Sequence, residues 1–274
     1  VEGLRNAGHD AELLDHDCPE LNYREWRCSL EPTLPEPTPS AHRALYKKKG
    51  RKFFEAFDQL PMSPRFSLYD PSPRDDYDTV VVGSDEVWNL WHPWYGQKHL
   101  FYGDGLKADR LVSYAASFGN YDAEQGLDDY WGGRIRGFHA VSVRDQNSLT
   151  LVSEHVGVEP ELVLDPCLQF PEVIRGTAAK DQEPYALIYG HGFPEWLGPA
   201  LTRWSANTGV RLVSVGYGCA FADESRISAG PLEFAGLARR RWSRTSFTAA
   251  SLRCSTASRS SACRHPIAST RCVT

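Results

Sequence analysis

The chain has 274 residues, of which 41% are hydrophobic and 24% charged, and its formal net charge is −5. These values belong to a folded globular protein with room for two small domains, and they exclude a fibrous or wholly disordered chain. The mildly acidic balance argues against a nucleic-acid partner, and no apolar run is long enough for an integral membrane segment.

The seven cysteines show no Cys-x-x-Cys spacing. Four of them are scattered through the body of the chain, which is typical of a reducing compartment and argues against a zinc site. We therefore predict a cytoplasmic protein, with the inner face of the membrane as a further option, and we expect neither a metal nor a cofactor.

The first residues predict a helix that ends at Gly8, followed by a short strand over Ala11–Leu14 that ends in Asp15. Helix, glycine, strand and acid in this order are typical of the first crossover and second strand of a doubly wound fold. The strand that should precede this helix is absent from the sequence. We therefore expect a fold that is truncated at its N-terminal end.

A proline-rich linker over 30–40 leads into a basic amphipathic helix, which we predict over 41–60. The clustered lysines and arginines of this helix are interpreted as a solvated face. Its inward positions are predicted to be Leu45, Phe53, Phe54 and Phe57.

Short apolar runs rich in β-forming residues then alternate with helical segments. The predicted strands are Thr79–Val82, Leu111–Ala115, Val141–Arg144, Leu162–Leu164, Tyr185–Tyr189 and Leu212–Val215. Helices are predicted at Ser148–Val156 and Pro194–Thr208. This alternation predicts an α/β fold built on doubly wound parallel sheets. We place an N-terminal α/β domain at 1–170 and a partial C-terminal α/β domain at 171–238.

Three segments that follow predicted strands carry polar side chains and glycines: GSDEVWN (Gly83–Asn89), VSYAASFG (Val112–Gly119) and VSVRDQNS (Val141–Ser148). Loops at the carboxyl ends of parallel strands commonly bind ligands. The candidate ligand contacts are Ser84, Asp85, Trp88, Asn89, Ser117, Gly119, Arg144, Asp145 and Ser148.

Arg144 is the best placed cation, because an arginine at a strand end can hold a carboxylate or a phosphate in a bidentate fork. We expect it to lie near Asp85 and Ser117, since all three follow strands of one sheet. Each segment taken singly also has a structural interpretation. Asp85 suits a turn, and Ser117 and Gly119 suit a tight loop. Arg144 and Asp145 suit a structural ion pair in which Asp145 caps the next helix.

The order of the segments resembles the polysaccharide pyruvyl transferase family. GSDEVWN resembles the signature G-S-D-Q-V-W-N of that family, and SYAASFG resembles its next block. VSVRDQNS and VLDPCLQF (Val163–Phe170) resemble its S-V-R and L-D-P blocks, and GPLEFAGL (Gly230–Leu237) resembles its P-x-E-F helix start. Glu86 stands where glutamine is usual, and we expect altered hydrogen bonding there.

The resemblance implies a two-domain arrangement similar to the GT-B glycosyltransferases and an enzyme of the transferase class. The implied donor substrate is phosphoenolpyruvate, whose pyruvate becomes a ketal on a glycan or lipid-linked sugar of a cell-envelope or exported polysaccharide. Arg144 is then the donor's cation and Asp85 the group on the acceptor side. A late histidine in an S-F-H-G-type block is the implied acid or phosphate contact.

That histidine block is missing from the printed reading frame. Residues 239–274 are rich in Arg, Ser, Thr, Ala and Cys without periodicity, and we expect a disordered tail. Back-translation with four-fold codons and re-reading from each third base permits A-A-V-V-T-D-F-F-H-G. In that frame Trp242 and Ser243 give valine, and Phe247 and Thr248 give histidine or tyrosine. We interpret the tail as an out-of-frame product and expect the fragment to be inactive.

Two alternative functions stay open. A GT-B glycosyltransferase with a nucleotide-sugar donor would use Glu233 as a ribose contact, and a non-catalytic remnant would bind the sugar without donor chemistry. Gly190 and His191 follow the predicted strand Tyr185–Tyr189 and are further candidate ligand contacts. A loop histidine that satisfies backbone groups is the more common situation.

Overall fold

The computed structural model describes residues 1–17, 38–67, 77–93, 96–170 and 184–239. The described residues form two compact units. Unit 1 contains 1–17, 61–67, 77–93 and 96–170, and unit 2 contains 38–60 and 184–239. Most of the predicted linker and all of the tail beyond Arg239 lie outside the described residues, so the predictions for them are untested.

The described elements alternate between helices and short strands. The helices are α1 (Glu2–Asn6), α2 (Arg43–Phe57), α3 (Asp129–Arg136), α4 (Gln146–Thr150), α5 (Pro166–Gln169), α6 (Leu197–Thr208) and α7 (Pro231–Arg239). The strands are β1 (His16–Asp17), β2 (Phe66–Ser67), β3 (Tyr77–Val82), β4 (Ala108–Ser113), β5 (Ser142–Val143), β6 (Glu161–Leu162), β7 (Tyr185–Tyr189), β8 (Arg211–Val215) and β9 (Glu224–Arg226). Single 3₁₀ turns lie at Ser40–His42, His99–Tyr102 and Ala123–Gln125, and α4 continues as a π-helical turn over Leu151–Val156.

Strand pairing in unit 1 is parallel. β3 pairs with β4, and β5 pairs with β6. Single bridges from Val112 to Ala140 and from Ala116 to Val143 place β5 beside β4. The four strands therefore lie in the order β3–β4–β5–β6, with their carboxyl ends at one edge. β1 and β2 form a separate parallel pair.

A pair of buried serines joins β4 to β5. Ser113 Oγ donates to the Ser142 carbonyl at 3.0 Å and accepts from the Ser142 amide at 2.9 Å. Ser142 Oγ returns the contact by donating to the Ser113 carbonyl at 2.9 Å. These reciprocal hydrogen bonds replace part of a ladder that the two-residue strand β5 is too short to provide.

Apolar side chains that pack with β3–β6 form the core of unit 1. Val82, Trp88, Phe118, Ile135 and Leu151 are almost completely excluded from solvent. The Trp88 ring lies 5.7 Å from the Phe118 ring and 5.6 Å from that of Phe138, between centroids. Burial of such large rings supplies the main stabilisation of the unit.

Unit 2 is a three-stranded parallel sheet in the order β7–β8–β9 with helices α2, α6 and α7. Helix α2 therefore groups with unit 2, although most of unit 1 follows it in the chain. The predicted domain limits after residues 170 and 238 stay predictions.

The predicted inward face of α2 is partly wrong. Leu45 is 37% exposed, and the buried positions are Tyr46 and Lys49. Their polar ends reach the loop after β8, where the Tyr46 hydroxyl accepts from the Gly218 amide and Lys49 donates to the Gly216 carbonyl. Tyr46 and Lys49 are therefore more buried than Leu45, because their polar ends have hydrogen-bond partners.

The predicted strand over Ala11–Leu14 is also wrong in its position. Leu13 makes a single bridge to Met62, and the strand forms at His16–Asp17.

The α/β class itself is confirmed by parallel pairs alternating with helices. Across the described ranges, no helix is long and apolar enough to span a membrane, and no cluster of three potential metal ligands occurs. Cys167 is exposed and Cys219 is half-buried.

Candidate functional site

An ion-pair cluster occupies the carboxyl edge of the β3–β6 sheet. Arg144, which follows β5, donates from Nη2 to Asp85 Oδ1 at 3.0 Å and from Nη1 to Asp165 Oδ2 at 2.8 Å. Asp85 follows β3, and Asp165 follows β6. The expected proximity of Arg144 and Asp85 is thus confirmed, because the parallel strands deliver both side chains to one edge.

The three side chains are mostly shielded from water, with exposed fractions of 23% for Arg144, 22% for Asp85 and 30% for Asp165. Burial alone would lower the pKa of Arg144, but the two carboxylates outweigh it and raise that pKa above its ordinary value. The guanidinium therefore stays charged at any working pH. Two carboxylates against one cation leave a formal charge of −1, and the two contacts use two of the five N–H donors of Arg144.

The backbone around this cluster adopts unusual conformations. Asp85 has a φ of 41° and Ala115 a φ of 53°, both in the left-handed region that side chains rarely enter. Gly83 has a φ of 135°, and a Cβ atom there would collide with the carbonyl oxygen of Tyr114. Strained backbone of this kind concentrates at functional sites, where surrounding contacts must hold it in place.

His92 belongs to the same region and was not predicted from the sequence. Its amide donates to the Asn89 carbonyl at 3.0 Å, and its own carbonyl accepts from Gly96 at 2.9 Å, so a tight turn holds it. Burial lowers the pKa of His92 to about 4, and the nearby Asp85 carboxylate only partly opposes that shift. The imidazole is therefore neutral near pH 7. His92 lies three residues beyond Asn89, the last residue of the GSDEVWN segment, and this nearness in sequence could have marked it as a candidate.

Asp145, Ser117 and Ser148 form a network behind the cluster. Asp145 accepts from Ser117 Oγ at 2.6 Å and from the Ser148 amide at 2.8 Å, and the second contact caps α4. Ser148 Oγ accepts from the Phe118 amide, and Ser117 Oγ accepts from the Gly119 amide, both at 2.8 Å. Ser148 is fully buried and Ser117 nearly so. The helix-cap interpretation of Asp145 is thus confirmed, whereas the ion pairs of Arg144 are with Asp85 and Asp165 and not with Asp145. The network fixes the loops that carry Arg144.

The remaining candidates of the GSDEVWN segment support its loop. Trp88 is completely buried, and its indole Nε1 donates to the Phe101 carbonyl at 2.9 Å. Asn89 is also buried and donates from Nδ2 to Glu86 Oε2 and to Asn120 Oδ1, both at 2.8 Å. A glutamine at position 86 would offer the same kind of acceptor. Ser84 is half-buried beside Asp85.

Gly119 lies against this loop. Its φ is 58°, and a Cβ atom there would collide with the Glu86 carboxylate. The sequence predicts Gly119 as a position where backbone approaches a ligand. The structure shows a close approach to Glu86, a side chain of the protein itself.

The candidates in unit 2 lie apart from this cluster along the chain. Gly190, with a φ of 135°, and His191 directly follow β7, and the His191 ring lies 4.8 Å from that of Tyr217. Glu233 accepts from the Gly230 amide at 2.7 Å and forms an ion pair with Lys52. Glu233 is the third residue of α7 and bonds back to Gly230, which directly precedes the helix, so this contact is the glutamate half of a capping box.

Parallel strands that alternate with helices make this an α/β protein, and in such proteins the loops at the carboxyl edge commonly bind ligands. The family model described as polysaccharide pyruvyl transferase matches residues 1–230, and the chain belongs to that family. The family indicates a transferase with a sugar or polysaccharide acceptor. Comparisons with curated proteins and with solved structures gave no match.

Proposed function

We propose that this chain is a pyruvyl transferase-like protein that is inactive as printed. In its in-frame form it moves pyruvate from phosphoenolpyruvate onto a sugar of a cell-envelope or exported polysaccharide, in the cytoplasm and on a GT-B-like two-domain frame. The observation that carries the proposal is the cluster of Arg144, Asp85 and Asp165 at the sheet edge. It lies in the GSDEVWN, VSVRD and LDP segments, within the residues that the family matches.

The chemistry of such a transfer sets the groups that a site must supply. Two sugar hydroxyls form bonds to carbon 2 of phosphoenolpyruvate, and the bond from that carbon to the phosphate oxygen breaks. One hydroxyl proton ends on the methylene carbon, which becomes a methyl group, and the other leaves with the phosphate. The site therefore needs a cation for the donor's charge, an acceptor for the hydroxyl protons, and an acid.

The described residues suit the first two of these tasks. Arg144 orients Asp85, whose carboxylate accepts the hydrogen of the attacking hydroxyl. Neutral His92 stands near Asp85 and is able to hydrogen-bond a sugar hydroxyl. An anionic donor takes the place of one carboxylate at Arg144, because this exchange relieves its repulsion by a cluster of charge −1. Asp165 is the one to be displaced, because it also caps α5 through the Cys167 amide at 3.0 Å and keeps that partner.

The test is release of phosphate from phosphoenolpyruvate together with ketal formation on β-linked hexosides. Because we propose that residues 239–274 are out of frame, the assay uses a chain that carries A-A-V-V-T-D-F-F-H-G after the GPLEF helix. The chain as printed is expected to be inactive. Arg144→Ala in the corrected chain should reduce turnover by about 10²–10³.

Arg211→Ala is the matched control, because it also removes an arginine from an ion pair, the 2.7 Å contact with Glu224 in unit 2. This variant should leave turnover unchanged. Equal turnover in the Arg144 and Arg211 variants would overturn the role of the cluster. Turnover of a nucleotide sugar in place of phosphoenolpyruvate would support the glycosyltransferase alternative instead.

A further inference from the structure

A pocket of about 1070 Å³ opens at the carboxyl ends of β7 and β8 in unit 2. The loops after these strands, the first turns of α6 and the start of α2 surround it. We propose that this pocket binds a saccharide of one to three pyranose rings, as part of the acceptor glycan. The identity of that glycan as the acceptor rests on the proposed function, whereas the binding itself does not.

Aromatic rings supply flat apolar faces in the pocket. Phe193 and Phe221 both line it, with centroids 5.7 Å apart and edge to face. Gly198 allows the Phe221 ring to approach the backbone of α6 closely, since a Cβ atom at Gly198 would lie 3.0 Å from Phe221 Cδ1. A pyranose ring presents a face of C–H groups that packs on such rings, which a phosphate group cannot do.

Polar groups with both hydrogen-bonding roles surround these rings. Glu195, Thr202 and Arg203 line the α6 side, and Ser225 lines the β9 side. A sugar hydroxyl both donates and accepts, so this mixture suits it. Histidines aside, one arginine is balanced by one glutamate, and the pocket has no surplus of positive charge for a nucleoside diphosphate. A purely apolar ligand would cover the charged ends of Glu195 and Arg203 without offering them hydrogen bonds.

The wall formed by α2 is fixed before any ligand binds. Tyr46 lines the pocket and accepts from the Gly218 amide at 3.2 Å, and Lys49 donates to the Gly216 carbonyl at 2.9 Å. The Lys49 ammonium also lies 4.1 Å from the centre of the Tyr217 ring. A preformed wall lowers the ordering cost of binding, which matters for weak carbohydrate ligands.

The experiment is a titration of the chain as printed with methyl β-galactoside, with a β-linked disaccharide and, separately, with phosphoenolpyruvate and ADP. Trp196 is 62% exposed and directly follows the pocket residue Glu195, so tryptophan fluorescence reports binding, with saturation-transfer NMR as the second readout. Saccharide binding in the millimolar range is expected. Phe193→Ala should weaken it about fivefold, because a ring contact contributes roughly 1 kcal/mol.

Thr202→Trp is the second variant, because it fills the pocket from an exposed position on α6 and keeps the ring contacts of the core. It should abolish saccharide binding. Phe234→Ala is the control, since it removes a ring of unit 2 that is not among the pocket residues, and it should bind as the parent does.

The inference would be overturned if neither saccharide bound, or if saccharide binding survived in Thr202→Trp. It would also be overturned if ADP or phosphoenolpyruvate bound in place of the sugars and Thr202→Trp removed that binding. The corrected chain separates this result from the proposed function. Loss of turnover in Arg144→Ala, together with an unchanged KM for the acceptor in Thr202→Trp, would keep the function and reject the pocket as the acceptor site. A raised KM would support the pocket.

Discussion

In unit 1 the loops beyond the parallel strands are tied together by ion pairs and buried hydroxyls, whereas in unit 2 the corresponding loops meet through aromatic rings around an open pocket. Arg144, Asp85 and Asp145 exemplify the first arrangement, and Phe193 and Phe221 the second. Directional polar contacts fix atoms closely, which suits bond-making chemistry. Rings that enclose space suit binding of a larger molecule.

The comparison also predicts different tolerance of change. A buried polar network loses its full value when one partner is removed, because the remaining groups are left without hydrogen bonds. Ring contacts and loop glycines in unit 2 border open space, and their loss is less costly. The predictions below test that difference, from the largest expected effect to the smallest.

Gly83→Ala should destabilise unit 1 by about 3 kcal/mol or more, because the added Cβ would meet the Tyr114 carbonyl at a positive φ. Gly209→Ala in unit 2 is the matched control. Its φ is 69°, but no atom lies within 4 Å of the added Cβ, so its cost should be about 1 kcal/mol. Urea denaturation measures both, and similar losses would remove the contrast between the units.

Asp145→Ala should lower the free energy of unfolding by about 2–3 kcal/mol, because the cap of α4 and the partner of Ser117 disappear together. Asp122→Ala removes a comparable cap from an exposed 3₁₀ turn and should cost less than about 1 kcal/mol. Thermal unfolding of the two variants makes the comparison. A larger loss in the Asp122 variant would show that the buried network contributes little.

Lys49 should make unit 2 more stable as the pH rises. Burial lowers its pKa from 10.5 to about 7, so above pH 7 the folded chain releases a proton that the unfolded chain retains. The Gly216 carbonyl and the Tyr217 ring favour the ammonium and reduce the effect. We expect a gain of about 1–2 kcal/mol between pH 7 and pH 9, which Lys49→Met should abolish. The prediction would be contradicted if the free energy of unfolding changed with pH equally in the parent and in Lys49→Met.

Glu233→Ala should cost at most about 1 kcal/mol, because its ion pair with Lys52 is partly exposed and only the capping box is lost. Glu233 is not expected to meet a donor, so turnover of the corrected chain should be unchanged. A Lys52→Ala variant should show a similar small loss. Loss of activity in the Glu233 variant alone would revive the ribose-contact interpretation.

Regular strands were the most predictable part of the fold. The run Tyr185–Tyr189 coincides with β7, and Leu212–Val215 lies within β8, because both are rich in apolar, β-forming residues. β9 at Glu224–Arg226 was missed, since a short charged edge strand has no apolar signal. The prediction that Leu45 points inward was wrong, because helical spacing does not show that the polar ends of Tyr46 and Lys49 find hydrogen-bond partners.

The candidate site was predictable only to the edge of a sheet. The rule that loops follow parallel strands brought Arg144 and Asp85 together correctly, because strand order fixes where loops meet. It did not give the second carboxylate, Asp165, or the neutral His92. Those depend on side-chain directions and on burial. The full burial of Trp88 follows from core packing that a loop motif does not reveal.

The reciprocal bonds between Ser113 and Ser142 control more than stability. Side chains alternate between the two faces of a strand, so a slip of β5 by one residue would carry Arg144 to the opposite face, away from Asp85. Such a slip would strand the hydroxyls and carbonyls that the two serines satisfy for each other. The serine pair therefore favours the alignment in which the Arg144 guanidinium lies between the carboxylates of Asp85 and Asp165.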